Sequence, residues 1–379
     1  MTAIFQMQSE GASHMKISIS QSALADVLSI VQKGVSPRTT LPILAGIYIE
    51  TQGEQVVFQS TDLELSVRCA TPALVEEAGR AVLPGKILGD IVKNLSDAAI
   101  HIATDDQSAV IACDQSSFSI KCMDPVDFPL FPSIQEEKSI QIPFDIFADM
   151  GKKVFRVVSK DETRAILTGV LVEVGGGCMR MVATDSYRLA VAEVPYEQPV
   201  DEFSAVLAGS FIADLCSLSR TGEDIRLGLT DNQVIVSYGS TTFVNRRLEG
   251  NYPNYRQLLP SSSAVICTVD RQALLAGVRR AALLGRNGAQ VRFTVDSVTN
   301  TIQLSSTTQD VGSTQETVRC QVEGGDIEIG FNSYYVSEGL AAMESSEITF
   351  ELQAPVKPGI FRGAAGENYL YLVMPVKMN

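Results

Sequence analysis

One period runs through this chain. The segment MKISISQSALADVLSIVQK, beginning at Met15, opens with an alternating strand pattern and continues with the apolar spacing of a helix. The segments KSIQIPFDIFADMGKKVFRVV from Lys138 and AVICTVDRQALLAGVRRAALL from Ala264 follow the same plan, at intervals of about 124 residues. Landmarks inside the units keep that register. AVLPGKIL around Gly85 returns as AVLAGSFI around Gly209, STDLELSV around Asp62 as ATDSYRLAV around Asp185, and DFPLFP around Pro129 as NYPNYRQLLP around Pro253. Three matches at one period indicate duplicated domains, expected at residues 15–136, 137–262 and 263–379. Residues 1–14 are polar and patternless, and read as a disordered tail, an alternative start or a vector remnant.

Each domain halves again. Leu24, Val27, Leu28 and Val31 recur at i, i+3, i+4 and i+7, one apolar face of a helix, with Ser20 or Ser22 as its cap. Five more helices follow: one with Ile87, Leu88, Ile91, Val92 and Leu95; one with Phe147, Met150, Gly151 and Val154 behind Pro143; and one with Phe211, Ile212 and Leu215. The last two carry Leu274, Val278 and Ala281 behind Asp270, and Tyr335, Val336, Leu340 and Met343 behind Asn332. Short alternating stretches between them, such as QVVFQS, MRMVATD and QVIVSY, read as antiparallel strands. The expected fold class is α+β: three similar domains, each two βαβββ-like units.

The residue inventory excludes most catalysts. The chain has two histidines, His14 and His101, which leaves little room for hydrolytic triads, proton shuttles or most zinc sites. Its seven cysteines include no Cys-x-x-Cys pair, and they read as free thiols in a reducing compartment. The Gly79–Gly85–Lys86 stretch has five residues between its glycines and Ile87 after the lysine, so it is no P-loop. Gly175–Gly177 reads as a hairpin turn, and Asp105–Asp106 lacks metal-ligand spacing. No catalytic residues, metal or cofactor are expected, and no apolar run is long enough for a membrane span.

The net charge of −14 argues against a general nucleic-acid binder, but its distribution is uneven. The six expected helices together carry +4, most of it from Arg271, Arg279, Arg280 and Arg286, and the remainder carries −18. A basic helical layer on an acidic body suits a protein that holds a polyanion on one surface, although counts alone equally fit solvated helix faces.

At this point the sequence closely resembles the beta subunit of bacterial DNA polymerase III, over residues 15–379. The resemblance is carried by MKISIS, RTTLPILAGI from Arg38, ATDSYRLA from Ala183, YPNYRQLLP from Tyr252, GFNSYYVSEGL from Gly330 and YLYLVMPVKMN from Tyr369. It implies a sliding clamp, a head-to-tail homodimeric ring with helices lining the bore and sheets outside, which confers processivity on a polymerase. Two chains would supply twelve helices, and at ~9 Å between neighbours they would close a bore of ~35 Å, room for duplex DNA. The partners implied are sequence-independent double-stranded DNA, the replicative polymerase alpha subunit, the clamp loader, and other polymerases and repair proteins. The implied location is cytoplasmic and nucleoid-associated. A scaffold that binds partners but no DNA is the alternative, and an enzyme comes third.

The resemblance also implies sites. By position, the partner-peptide pocket is Leu167, Thr184, Ser186, Tyr187, Arg188, Leu189, Pro253, Gln257, Leu258, Val356, Pro358, Leu372 and Met374. Arg188 is expected at its rim, ready to orient a peptide. Tyr187 stands where the family often has His, and Gln257 where a basic residue is common. The DNA-contact candidates are Arg38, Lys86, Lys152, Arg279, Arg280, Asn332, Tyr335 and Lys377. Phe118 and Ile120 are expected to meet Leu283 and Leu284 of a second copy across the ring closure.

Overall fold

Six βαβββ repeats follow one another in the computed structural model, which describes residues 14–36, 39–133, 135–198, 202–285, 289–364 and 366–378. The first is β1 (Met15–Ser20), α1 (Gln21–Val31), β2 (Gly46–Gln52), β3 (Gln55–Thr61) and β4 (Leu65–Pro72), trailed by a short extra strand, β5 (Leu74–Glu77). The second is β6 (Arg80–Pro84), α2 (Gly85–Lys93), β7 (Ala99–Thr104), β8 (Ser108–Cys113) and β9 (Ser116–Lys121). The third is β10 (Lys138–Pro143), α3 (Phe144–Val154), β11 (Gly169–Gly175), β12 (Cys178–Thr184) and β13 (Arg188–Pro195). The fourth is β14 (Phe203–Ala208), α4 (Gly209–Cys216), β15 (Asp224–Leu229), β16 (Gln233–Tyr238) and β17 (Thr241–Arg246). The fifth is β18 (Val265–Asp270), α5 (Arg271–Ala281), β19 (Gln290–Asp296), β20 (Thr301–Thr308) and β21 (Gly312–Gly324). The sixth is β22 (Ile327–Asn332), α6 (Ser333–Ala342), β23 (Glu347–Leu352), β24 (Gly359–Gly363) and β25 (Tyr369–Val373).

The helices start where side chains can satisfy their free amides. Ser20 accepts from the Ala23 amide, Asp270 from Ala273, and Asn332 from Tyr334 and Tyr335. Two stop short of the apolar spacing, α2 at Lys93 before Leu95 and α6 at Ala342 before Met343, and α3 tightens after Val154 into a 3-10 turn. In α2 the buried stripe is Gly85, Leu88, Gly89 and Val92. Ile87, expected in the core, is exposed because a nine-residue helix turns only this one narrow stripe inward.

The chain forms two compact bodies, Met1–Phe144 with Leu218–Arg246, and Asp145–Ser217 with Arg247–Asn379. In the first body, a five-stranded sheet (β5-β1-β7-β8-β9) accompanies an eight-stranded one (β10-β15-β16-β17-β4-β3-β2-β6). In the second, one twelve-stranded sheet runs β14-β11-β12-β13-β25-β24-β23-β18-β21-β20-β19-β22. Strands of different repeats therefore join edge to edge, β4 to β17 and β13 to β25, in antiparallel register. None of the seven cysteines forms a disulfide. Among the described residues no helix is long and apolar enough to cross a membrane, and no cluster of metal-ligating side chains occurs.

In the second body α6 lies close on β25. A Cβ at Gly339 would fall 2.1 Å from the ring of Tyr371, a fully buried side chain whose hydroxyl donates to the Tyr335 carbonyl at 2.9 Å. Gly339→Ala should therefore force the ring aside, at a cost of about 1–3 kcal/mol for an overpacked core. A fall of roughly 3–10 °C in the melting midpoint of this body is expected by calorimetry. An unchanged midpoint would mean that α6 can lift off β25 freely.

Candidate partner-docking site

The turn between β12 and β13 is built around one carboxylate. Asp185 Oδ1 accepts from the amides of Tyr187 (2.9 Å) and Arg188 (3.0 Å), while Thr184 Oγ1 accepts from the Ser186 amide and donates to the Arg188 carbonyl. Ser186 sits at φ 79°, a left-handed conformation rare for any residue but glycine. Its hydroxyl accepts from Arg164 at 2.8 Å, which helps to hold it there. The turn thrusts Tyr187 outward, 60% exposed. The Met374 amide donates to the Tyr187 carbonyl at 2.8 Å and ties the end of β25 to the turn.

Register then places Leu189 opposite Leu372. Both are buried, in a cluster with Leu171, Val182, Val191, Val206, Tyr255, Ile360 and Leu370. Leu167 and Thr184 are buried as well. Leu258, Val356 and Met374 are exposed apolar side chains, Ser186, Pro253 and Gln257 are also exposed, and Pro358 is half-buried. The expected pocket residues thus divide into a buried set, with Leu189 and Leu372 in one cluster, and an exposed or half-buried set. A cleft of about 420 Å³ lies along residues 250–256, and it takes in Pro253 of the expected pocket and Leu171, Val206 and Tyr255 of the buried cluster. It is lined by Glu173, Arg247, Asn251, Tyr252 and Arg256 among others.

Arg188 is not at the rim. It is 6% exposed, and its fork is consumed inside the protein. Nε donates to Asp185 Oδ2 at 3.0 Å, one terminal nitrogen donates to Glu338 and to the Tyr371 hydroxyl, and the other to the Arg156 carbonyl. The guanidinium also lies 4.5 Å from the Tyr335 ring centre. Burial alone would weaken its hold on the proton, but Tyr371, Glu338 and Asp185 outweigh it and push its pKa up. The expectation of a peptide-orienting arginine is corrected: Arg188 braces the turn from behind, because two carboxylates and a carbonyl offer it better partners than water. Asp185 had a sequence signal, its repetition as Asp62; Glu338 and Tyr371 had none.

The other candidates separate in the same way. Lys86 on α2, Lys152 on α3, Arg279 on α5 and Lys377 are exposed, with no ion-pair partner among the described residues. Arg280 is exposed but donates to Glu316 at 2.9 Å. Asn332 uses its side-chain oxygen to cap α6, and Tyr335 is half-buried against Arg188 and Tyr187. Arg38 lies outside the described residues, as do residues 1–13 of the head segment and Arg286. Phe118 is exposed on β9, the edge strand of the five-stranded sheet, beside Ile120 two residues on. Leu283 is 75% exposed just past α5, and Leu284 packs near Gly312 on β21.

Comparison with known proteins covers nearly the whole chain. The family models for the DNA polymerase III beta subunit match in order: the N-terminal domain at residues 15–132, the central domain at 141–254 and the C-terminal domain at 256–377. The beta sliding clamp of Staphylococcus aureus is 30% identical over 374 residues, 96% of this chain and 99% of that protein. The beta sliding clamp of Synechocystis is 33% identical over 389 residues, 96% of this chain and all of that one. Among solved structures, the DNA polymerase sliding clamp of Bacillus subtilis aligns with a TM-score of 0.91 at 30% identity, over 97% of this chain and 100% of that one. A Pseudomonas aeruginosa sliding clamp bound to griselimycin aligns with a TM-score of 0.91 at 25% identity, over 96% and 100%.

The position of Arg188 makes a prediction about stability. Arg188→Gln would leave Asp185 and Glu338 facing each other without their shared cation, and breaking such a buried pair costs about 3–5 kcal/mol. Arg188→Lys should recover only part of this, since an ammonium cannot span three acceptors as a planar fork does. Denaturant unfolding followed in both variants checks it. A loss under about 1 kcal/mol in the glutamine variant would mean that water replaces the fork.

Proposed function

The chain belongs to the DNA polymerase III beta subunit family of sliding clamps, and on that premise we propose that two copies close head to tail into a ring around duplex DNA. The family works by a topological link that makes a polymerase processive, not by catalysis. The observation that carries the reading is the sixfold βαβββ repetition, each repeat presenting one helix and a group of antiparallel strands. On this reading residues 15–136, 137–262 and 263–379 are three copies of one clamp domain, the helices face the bore and the sheets face outward.

The ring closes between edges. Among the described residues, β9 is paired only with β8 in the first body, and residues 312–319 of β21 only with β20 in the second. Such open edges accept another strand. Phe118 and Ile120 on one edge and Leu283 and Leu284 beside the other would supply the apolar cover of a heterologous contact that ends after two copies. Inside the ring, Lys86, Lys152, Arg279, Arg280 and Lys377 would attract phosphates weakly and without reading sequence, each contact contributing ~0.9 to the salt slope. The site around Leu189 and Leu372 would take a short peptide with Gln and Leu or Phe anchors from the polymerase alpha subunit, the clamp loader, or other polymerases and repair proteins. The protein would work in the cytoplasm, on the nucleoid.

Loaded onto nicked circular DNA by a clamp loader, the protein should stay bound until the circle is cut, then leave by the ends. Retention after linearisation would contradict a sliding ring, and absence of retention on the closed circle would favour a scaffold that holds no DNA. Separately, Leu283→Ala with Leu284→Ala should convert dimers to monomers in sedimentation, because the closure would lose its apolar cover. An unchanged dimer would place the closure elsewhere.

A further inference from the structure

The docking face of the second body has a duplicate in the first, and the two differ at a handful of positions. The turn after β3 repeats the amide-to-side-chain hydrogen bonds of the turn after β12. Asp62 Oδ1 accepts from the Glu64 and Leu65 amides, Thr61 Oγ1 accepts from the Leu63 amide, and Leu63 has φ 78° where Ser186 has 79°. The Arg246 amide donates to the Glu64 carbonyl as the Met374 amide donates to that of Tyr187. β4 pairs with β17 as β13 pairs with β25, so Ser66 faces Val244 where Leu189 faces Leu372. One row along, Gln59, Arg68 and Thr242 occupy the positions of Val182, Val191 and Leu370.

The backbone lattice is shared and the chemistry is not. In place of the Leu189 floor, Ser66 Oγ lies 2.9 Å from Thr61 Oγ1. Arg68 lies under the Phe131 ring, 5.3 Å from its centre, and its buried Nε has no hydrogen-bond partner among the described residues. At the mouth, Glu64 and Arg246 stand where the other copy has Tyr187 and Met374, and their side chains approach to 3.9 Å. An apolar anchor entering here would strip water from a hydroxyl and a guanidinium without replacing their hydrogen bonds.

We infer that the first body carries a silenced copy of the docking groove, and that Ser66, Arg68 and the Glu64–Arg246 pair confine peptide docking to one site per chain. The inference rests on the docking reading proposed above.

A synthetic peptide carrying Gln-Leu-x-Leu-Phe, titrated into the full-length protein by calorimetry, should bind with a stoichiometry of one per chain. Hydrogen exchange of the same complex should gain protection at 184–189 and 370–374 and none at 61–66 or 242–246. The variant Glu64→Tyr, Ser66→Leu, Arg68→Val, Arg246→Met should raise the stoichiometry to two. Two peptides on the wild-type chain, or protection at 61–66, would overturn the inference and leave the docking reading standing. So would a folded variant with wild-type melting that still binds one. A wild-type chain that binds no peptide would sink both. Should the variant fail to fold, exchange on the wild type decides alone.

Discussion

The antiparallel pairing of β13 with β25 is the interaction on which the candidate site depends. These strands come from different repeats, far apart in the chain, so no short connection fixes which residue meets which. A slip of one residue would turn Leu189 and Leu372 to the opposite face and leave the cluster without its floor. The register is secured at its open end by the Asp185 turn, whose geometry dictates where β13 begins, and by the Met374 amide on the Tyr187 carbonyl. The same device holds β4 to β17 through Asp62, so within each body strands of two repeats are joined by a copy of one mechanism.

Behind that turn lies a buried charge, which the site needs in order to be rigid. A guanidinium at 6% exposure is tolerated only because its donors find two carboxylates, a phenol and a carbonyl. The arrangement ties the β12–β13 turn to α6 through Glu338 and to β25 through Tyr371, while the Tyr334 hydroxyl donates to the same Glu338. Tyr187, stacked 6.4 Å from Tyr335, is the outward end of this stack. A docking surface whose exposed residues are mobile would lose affinity to ordering entropy; one braced from beneath loses less.

Much of this could be read from the sequence, for reasons that differ by level. The repeat was visible because Gly85 and Gly209, Asp62 and Asp185, and Pro129 and Pro253 occupy turn and helix-start positions where few residue types work. The six helices were visible because each buries one stripe at helical spacing, and the caps Ser20, Asp270 and Asn332 because only short polar side chains reach the free amides. Arg188 was misplaced because its orientation is decided by Glu338 and Tyr371, 150 and 183 residues away, which no local pattern encodes. Asn332 carries a related ambiguity: a polar residue at a helix start reads equally as a cap or as a contact, and here its side-chain oxygen caps α6. The joining of β4 to β17 was invisible, since alternation marks a strand but not its neighbour.

Duplication creates the same surface more than once, and a surface that suits a partner's apolar anchors is a hazard wherever no partner covers it. The first body meets this with small changes. The turn, the strands and their register are conserved down to individual hydrogen bonds, so the fold keeps its stability, while the outward chemistry moves from Leu, Val and Met to Ser, Gln and Arg. Glu64 and Arg246 are both more than half exposed, so their pairing contributes little to stability. Its effect is on what can bind: an ion pair over the mouth must be broken and dehydrated before anything apolar enters. On the proposed reading, stability resides in the shared lattice and specificity in the side chains laid over it, so a fold can be duplicated within one chain without duplicating its docking chemistry.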